Sequence, residues 1–171
     1  NARHTITLNF RGAPFTDLAA LSELSNLRSL NLSFNDQLGN LEGFPRLTRL
    51  KSLNIGSVDN LTDLSGLPDL PALQTLNLSS SRNLQNLSAL SKLTALKTLD
   101  LSYNGSLKDL KNLPSIPTLE TIDLSYCDSF SDLESLPELP RLKILRLYNT
   151  GVTPTALETF QKSRGGISID R

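Results

Sequence analysis

The chain has 171 residues, of which 17 are basic and 17 acidic, for a formal net charge of zero. That balance argues against a general nucleic-acid or anionic-membrane binder, which carries a basic excess. No apolar run approaches the roughly 18 residues needed to cross a bilayer. The chain opens at Asn1 with neither Met nor a recognisable targeting segment, and reads as a fragment or a processed product.

Residues 1–26 read as an N-terminal cap. Thr5-Ile-Thr-Leu-Asn-Phe10 alternates with period two and predicts a strand. It aligns with the repeats that follow at an offset of 22 residues. From Phe15, Leu18, Leu21 and Leu24 onward the offset is 23, so one residue is missing around Arg11 to Pro14.

From Leu27 a single spacing, LxxLxLxxN, recurs at Leu50, Leu73, Leu96, Leu119 and Leu142, 23 residues apart each time. Counting Leu27 as position 1, apolar residues fall at positions 1, 4, 6, 12, 15, 18 and 21. The third repeat shows them as Leu73, Leu76, Leu78, Leu84, Leu87, Leu90 and Leu93. Period two over positions 4–6 predicts a strand. Steps of three over 12–21 predict a 3₁₀ or turn-like return, in which side chains three apart eclipse. No single repeat can bury its own leucines, so the repeats must stack and their strands must form one parallel sheet.

Proline shapes the return. Pro45, Pro68, Pro114 and Pro137 occupy position 19, and Pro71, Pro117 and Pro140 position 22. Two prolines three apart remove two amide donors and exclude a regular α-helix from repeats two, four and five. Repeat three carries Ser91 and Thr94 instead and predicts a short helix. Position 9 reads Asn35, Val58, Ser81, Asn104, Cys127 and Thr150. A buried side chain there can bond backbone groups where the chain leaves the strand. Cys127, the only cysteine, belongs to that column. The one histidine, His4, is too far along the chain to act as its base.

The last repeat departs from the pattern. Thr153-Pro154 ahead of Thr-Ala-Leu-Glu-Thr-Phe-Gln-Lys predicts an N-capped helix, Gly165-Gly166 stops it, and Ile167-Ser-Ile169 predicts a final edge strand. The expected organisation is one domain over 1–171: a cap repeat at 1–26, five regular repeats at 27–141, and a final repeat with its cap at 142–171.

The segment Leu119-Glu-Thr-Ile-Asp-Leu-Ser-Tyr-Cys-Asp-Ser-Phe-Ser-Asp-Leu resembles the leucine-rich-repeat family, in the 23-residue form with Asn or Cys at position 9. This form is similar to repeats of plant intracellular immune receptors and bacterial type III effectors. The resemblance covers residues 5–160. It implies an α/β repeat solenoid: a right-handed curved horseshoe with a concave parallel β-sheet and convex 3₁₀, turn or short-helix returns. It also implies a concave face that binds a protein.

Secreted animal and plant ectodomains of this family close their ends with cysteine-rich caps. Their absence here favours a reducing compartment, such as bacterial or host cytoplasm, or a bacterial origin. Sequons at Asn31, Asn60, Asn77, Asn86 and Asn104 read as unused by-products of the repeat.

The outward strand positions form columns. Position 3 reads Ser29, Ser52, Thr75, Thr98, Thr121, Ile144; position 5 reads Asn31, Asn54, Asn77, Asp100, Asp123, Arg146. Position 7 runs from Ser33 to Tyr148, and position 8 adds Phe34, Tyr103 and Tyr126. The floor is small, polar and neutral at first, and charged and aromatic towards the C-terminus. The candidate partner-binding patch is therefore Asp100, Tyr103, Asp123, Tyr126, Arg146 and Tyr148, with tyrosine as the anchor type.

Asp100 and Asp123 should sit on adjacent strands about 5 Å apart, but an open sheet offers no pocket to tune a catalytic pair. No His/Cys spacing suits a metal and no Gly-rich loop suits a phosphate. Position 2 is mostly basic (Arg28, Lys51, Lys97, Lys143) but is interrupted by Gln74 and Glu120, and reads as a solvated edge.

The expectation is a monomeric, non-enzymatic module without cofactor or metal. It would bind a protein as the recognition region of a larger bacterial protein, for instance an effector. The alternative is a structural or spacer solenoid, natural or consensus-built, with no dedicated ligand.

Overall fold

The computed structural model describes residues 6–14 and 17–171. Thr5, His4 and Phe15 lie outside them. Eight strands form one parallel sheet in chain order: β1 (Ile6–Asn9), β2 (Leu27–Asn31), β3 (Ser52–Asn54), β4 (Thr75–Asn77), β5 (Thr98–Asp100), β6 (Thr121–Asp123), β7 (Ile144–Arg146) and β8 (Ser168–Asp170). The sheet is open and curved.

The register from β2 to β7 is the sequence period itself. Leu30 pairs with Leu53, then Leu76, Leu99, Ile122 and Leu145 in succession. All six are buried, as are the leucine-type positions of the returns, so one continuous core runs the length of the stack. Phe44 and Phe130, which take the place of leucine at positions 18 and 12 of their repeats, are buried, and Phe10 is partly buried against the core.

The return is built from tight i→i−3 turns. Leu61 N donates to Val58 O (3.1 Å), Leu67 N to Leu64 O (3.0 Å), and Leu73 N to Leu70 O (3.0 Å). Each turn puts a leucine at the inward point of the bend, which is why the apolar step is three. Repeat three lacks the prolines, and there a 3₁₀ helix forms at Ser88–Lys92. Other 3₁₀ segments occur at Leu133–Ser135, capped by Asp132, and at Leu18–Glu23, capped by Asp17.

At the N-terminal end β1 keeps the 22-residue offset, with Asn9 against Asn31 and a register irregularity between Ile6 and Thr7. Gly12 N still donates to Ser33 O (2.9 Å), in the place that Phe34 N takes on Gly56 O in the next repeat. The omitted residue therefore falls after Gly12.

At the other end Thr153 Oγ1 accepts from Ala156 N (3.2 Å) and starts α1 (Pro154–Ser163), whose Phe160 closes the core. Gly166, at φ 91°, turns the chain into β8. Arg164 donates to Leu136 O (2.7 Å) and Pro137 O (2.8 Å), tying the cap to the exposed carbonyls of the last return. No helix among the described residues is long and apolar enough to cross a membrane.

Candidate functional site

The position-5 column is held by local chemistry. In each repeat from β2 to β6 the Asn or Asp Oδ1 accepts the amide two residues on: Asn31 from Ser33, Asn54 from Gly56, Asn77 from Ser79, Asp100 from Ser102, and Asp123 from Ser125, all at 2.9 Å. These are Asx turns that close the end of each strand. The column that reads in sequence as a polar floor is thus part of the scaffold, and Asp100 and Asp123 carry on it what Asn carries elsewhere.

Each of the two aspartates also has a second oxygen to use. Asp100 Oδ2 accepts from Asn77 Nδ2 at 3.0 Å. Asp123 Oδ2 lies 3.6 Å from Arg146 Nη1, and Arg146 Nε lies 3.3 Å from Asp170 Oδ2. Asp170, on the last strand, extends the row and was not among the residues expected there. Asp100 and Asp123 are paired in register across β5 and β6.

The next feature along the chain has no counterpart in sequence reasoning. Position 8 has positive φ in every repeat: Phe34 (60°), Ser57 (57°), Ser80 (57°), Tyr103 (60°), Tyr126 (61°) and Asn149 (51°), with Gly12 (67°) in the cap. Such a conformation costs a bulky residue about 1–2 kcal/mol. Hydrogen bonds between turns enforce it: Tyr103 N donates to Ser125 O (2.8 Å) and Tyr126 N to Tyr148 O (2.6 Å). The left-handed turn throws the side chain outward at the lip of the sheet.

As a result Tyr103 and Tyr126 stack, with ring centroids 4.6 Å apart and planes 7° from parallel. They remain 53% and 45% exposed. At the first repeat Phe34 is likewise exposed, but the Arg11 guanidinium covers it at 4.2 Å. Tyr148, at position 7, is 44% exposed and makes no ring contact among the described residues. The structure therefore joins four of the six expected residues into two contacts, Tyr103 with Tyr126 and Asp123 with Arg146. Asp100 and Tyr148 flank them.

A hollow of about 320 Å³ lies beside the stack, bordered by Arg82, Gly105, Asp128 and Asn149. A larger cleft of about 740 Å³ opens under the C-terminal cap between Asp132, Leu133, Glu134 and the helix residues Ala156, Thr159 and Phe160. Neither was expected, because both join residues of different repeats.

The other candidates are structural. Cys127 donates its thiol to Leu101 O (3.1 Å), and burial pushes that thiol up to about 11, so it is a poor nucleophile. Asn35 and Asn104 donate to carbonyls of their own and the preceding turn. Lys143 bonds Glu120 at 2.6 Å and holds its carboxyl below the usual range, with Lys97 beside it at 4.0 Å. The basic edge is thereby partly neutralised. Among the described residues no group of three or more His, Cys, Asp and Glu could hold a metal.

Family models described as leucine-rich repeats match residues 71–115, as two copies, and 23–41. No curated protein matches. Among solved structures, an internalin of Listeria monocytogenes superposes with a TM-score of 0.63 at 23% identity, over 97% of this chain and 54% of that one. Human trophoblast glycoprotein, a Wnt-activated inhibitory factor, gives 0.62 at 19% identity, over 98% of this chain and 75% of that one. A chain of the yeast Rad7–Elc1 complex gives 0.52 at 16% identity, over 96% and 52%. The likeness at these identities is one of fold. The chain spans about half the length of the internalin it matches.

Proposed function

Since this chain is a leucine-rich-repeat protein, with a fold commonly used as a protein-interaction module, we propose that it binds a protein partner and is not an enzyme. The proposed contact surface is the C-terminal half of the concave face and its lip: Asp100, Tyr103, Asp123, Tyr126, Arg146 and Tyr148. The observation that carries this reading is the Tyr103–Tyr126 stack, a large half-exposed aromatic surface beside the charged end of a face whose first repeats are mostly Ser, Thr and Asn. Tyrosine pairs of this kind bury much area at low entropy cost and act as interface anchors. We further propose that the chain is the recognition region of a larger bacterial protein, an effector acting in a host cell being the setting its repeat form suggests.

The test is capture from host-type and bacterial lysates, read by mass spectrometry. The control bait carries Tyr103→Ser, Tyr126→Ser and Asp123→Asn. Serine is what the chain itself uses at Ser57 and Ser80 with the same φ, and Asn keeps the strand-end turn. A protein held by the native bait and lost by the control, with both melting alike, supports the proposal. Identical capture by both sinks it. One observation favours a spacer role for the first three repeats. Their Asn column is spent on backbone turns, and no ring lies outward between Phe34 and Tyr103.

A further inference from the structure

The proposed interface has a chemistry that the stack and its neighbours make specific. We infer that Tyr126 and Asp128 form the seat for an arginine side chain of the partner, so that the partner presents a basic segment. This rests on the reading of the tyrosine face as a protein-binding surface and adds to it what the surface recognises.

A ring at the same lip position already shows the chemistry, on the face turned to the preceding repeat. In the first repeat the Arg11 guanidinium lies over the Phe34 ring at 4.2 Å, supplied by the preceding repeat. A planar cation on an aromatic face is a favourable contact, and more so for arginine than for lysine. Further along, the residue equivalent to Arg11 is Ser79 ahead of Tyr103, too short to cover a ring. On Tyr126 the corresponding face is taken by Tyr103, so its open face is the opposite one, towards Asp128 and Asn149. The two tyrosines cover each other on one face, and each leaves its other face without a guanidinium from this chain.

Charge selects between the two outer faces. Arg82 borders the hollow on the Tyr103 side and disfavours an incoming cation there. Asp128 borders it on the Tyr126 side. Its Oδ1 accepts from Asn149 Nδ2 (2.7 Å), and it has no cationic partner among the described residues. Asp100 also lacks one, and Asp123 shares Arg146 with Asp170. Over this end of the concave face and lip, Asp100, Asp123, Asp128 and Asp170 outnumber Arg82 and Arg146. The surface is therefore complementary to a positive partner.

The molecule carries its own reporter. It has three tyrosines and no tryptophan, and all three tyrosines lie in this region, so intrinsic emission reads the site alone. The probes are Gly/Ser decapeptides bearing three spaced arginines, three citrullines (same shape, no charge), three lysines or three glutamates. They are titrated at low salt by tyrosine emission and calorimetry. The arginine peptide should bind saturably, the lysine peptide more weakly, and the citrulline and glutamate peptides not at all. Tyr126→Ser should weaken the arginine peptide by about two- to fivefold. Asp128→Asn should weaken it and flatten its salt dependence, and Arg82→Ala should tighten it. Equal binding of the citrulline peptide, or no response to Asp128→Asn and Arg82→Ala, overturns the inference. So does the absence of saturable arginine binding. A partner captured through Tyr103 and Tyr126 whose affinity ignores salt and Asp128→Asn would leave the interface standing and remove only its arginine chemistry.

Discussion

Asp123 serves two masters at once: one carboxylate oxygen accepts the Ser125 amide at 2.9 Å and the other lies 3.6 Å from the Arg146 guanidinium. The first contact is scaffold and the second is surface. An exposed ion pair of this kind is worth about 0–1 kcal/mol, whereas a hydrogen bond closing a strand end contributes about 1 kcal/mol. Asp123→Ala should therefore lower stability by about 1–2 kcal/mol, and Asp123→Asn by less than about 1 kcal/mol. Urea unfolding followed by circular dichroism separates the two. Equal losses would show that the ion pair, not the turn, dominates.

Gly66 and Gly105 should respond in opposite ways to alanine. Gly66 has φ 84°, and a Cβ there would meet Leu41 C at 2.5 Å and Glu42 N at 2.6 Å, both rigid backbone of the neighbouring turn. Gly66→Ala should cost at least about 1–3 kcal/mol. A Cβ on Gly105 meets nothing within 4 Å, so Gly105→Ala should be near neutral. Thermal melts of the two variants against the native chain decide the matter.

Cys127 should resist thiol reagents in the folded chain and react on unfolding. Its pKa is raised from 9.0 to about 11, chiefly by burial. A raised folded-state pKa means that the thiol's contribution to stability is intact below about pH 9 and is lost as pH rises towards 11. Stability measured from pH 8 to 11 should fall over that window, and Cys127→Ala should flatten the fall while lowering stability at pH 8. A native chain labelled rapidly at pH 8 would contradict the buried placement.

Acid should act through carboxylates that the fold has made stronger acids. Asp63 is lowered by hydrogen bonds from Ser65, Asp109 by the Lys111 amide, and Glu120 by Lys143. Lowered folded-state values mean that the stabilisation is present above the ordinary values of 3.8 and 4.5 and is lost as pH falls below them. The melting temperature should stay level from pH 7 to about 5 and then drop, less steeply in Glu120→Gln. An unchanged slope in that variant would show that the Lys143 contact contributes nothing measurable.

The helical cap was readable from local chemistry: Thr153 before Pro154 starts α1, and the Gly165-Gly166 pair follows its end, with Gly166 in a left-handed turn. The final strand was readable as an apolar alternation, though it lies one residue later than the pattern suggested, at Ser168–Asp170. The tyrosines were readable as an exposed group but not as a stack. Nothing in Leu-Ser-Tyr announces a left-handed residue, because Tyr does not adopt that conformation on its own account. The polar Asn column was equally open to two meanings, ligand-facing floor or strand-end turn, and only the amide two residues on settles it for the turn.

What the sequence determined by itself is everything that follows from one period. Leucines 23 residues apart can be buried only by stacking equivalent turns, so the sheet, its parallel sense, its register from β2 to β7 and its continuous core were all implied by spacing. What the tertiary structure decided is what each turn does to its neighbour. The Tyr126 amide finds the Tyr148 carbonyl across the stack, that bond holds a strained backbone, and the strain aims a ring at Tyr103. Each of those links joins residues more than twenty apart in the chain, where local preference has no influence and only packing brings the groups together.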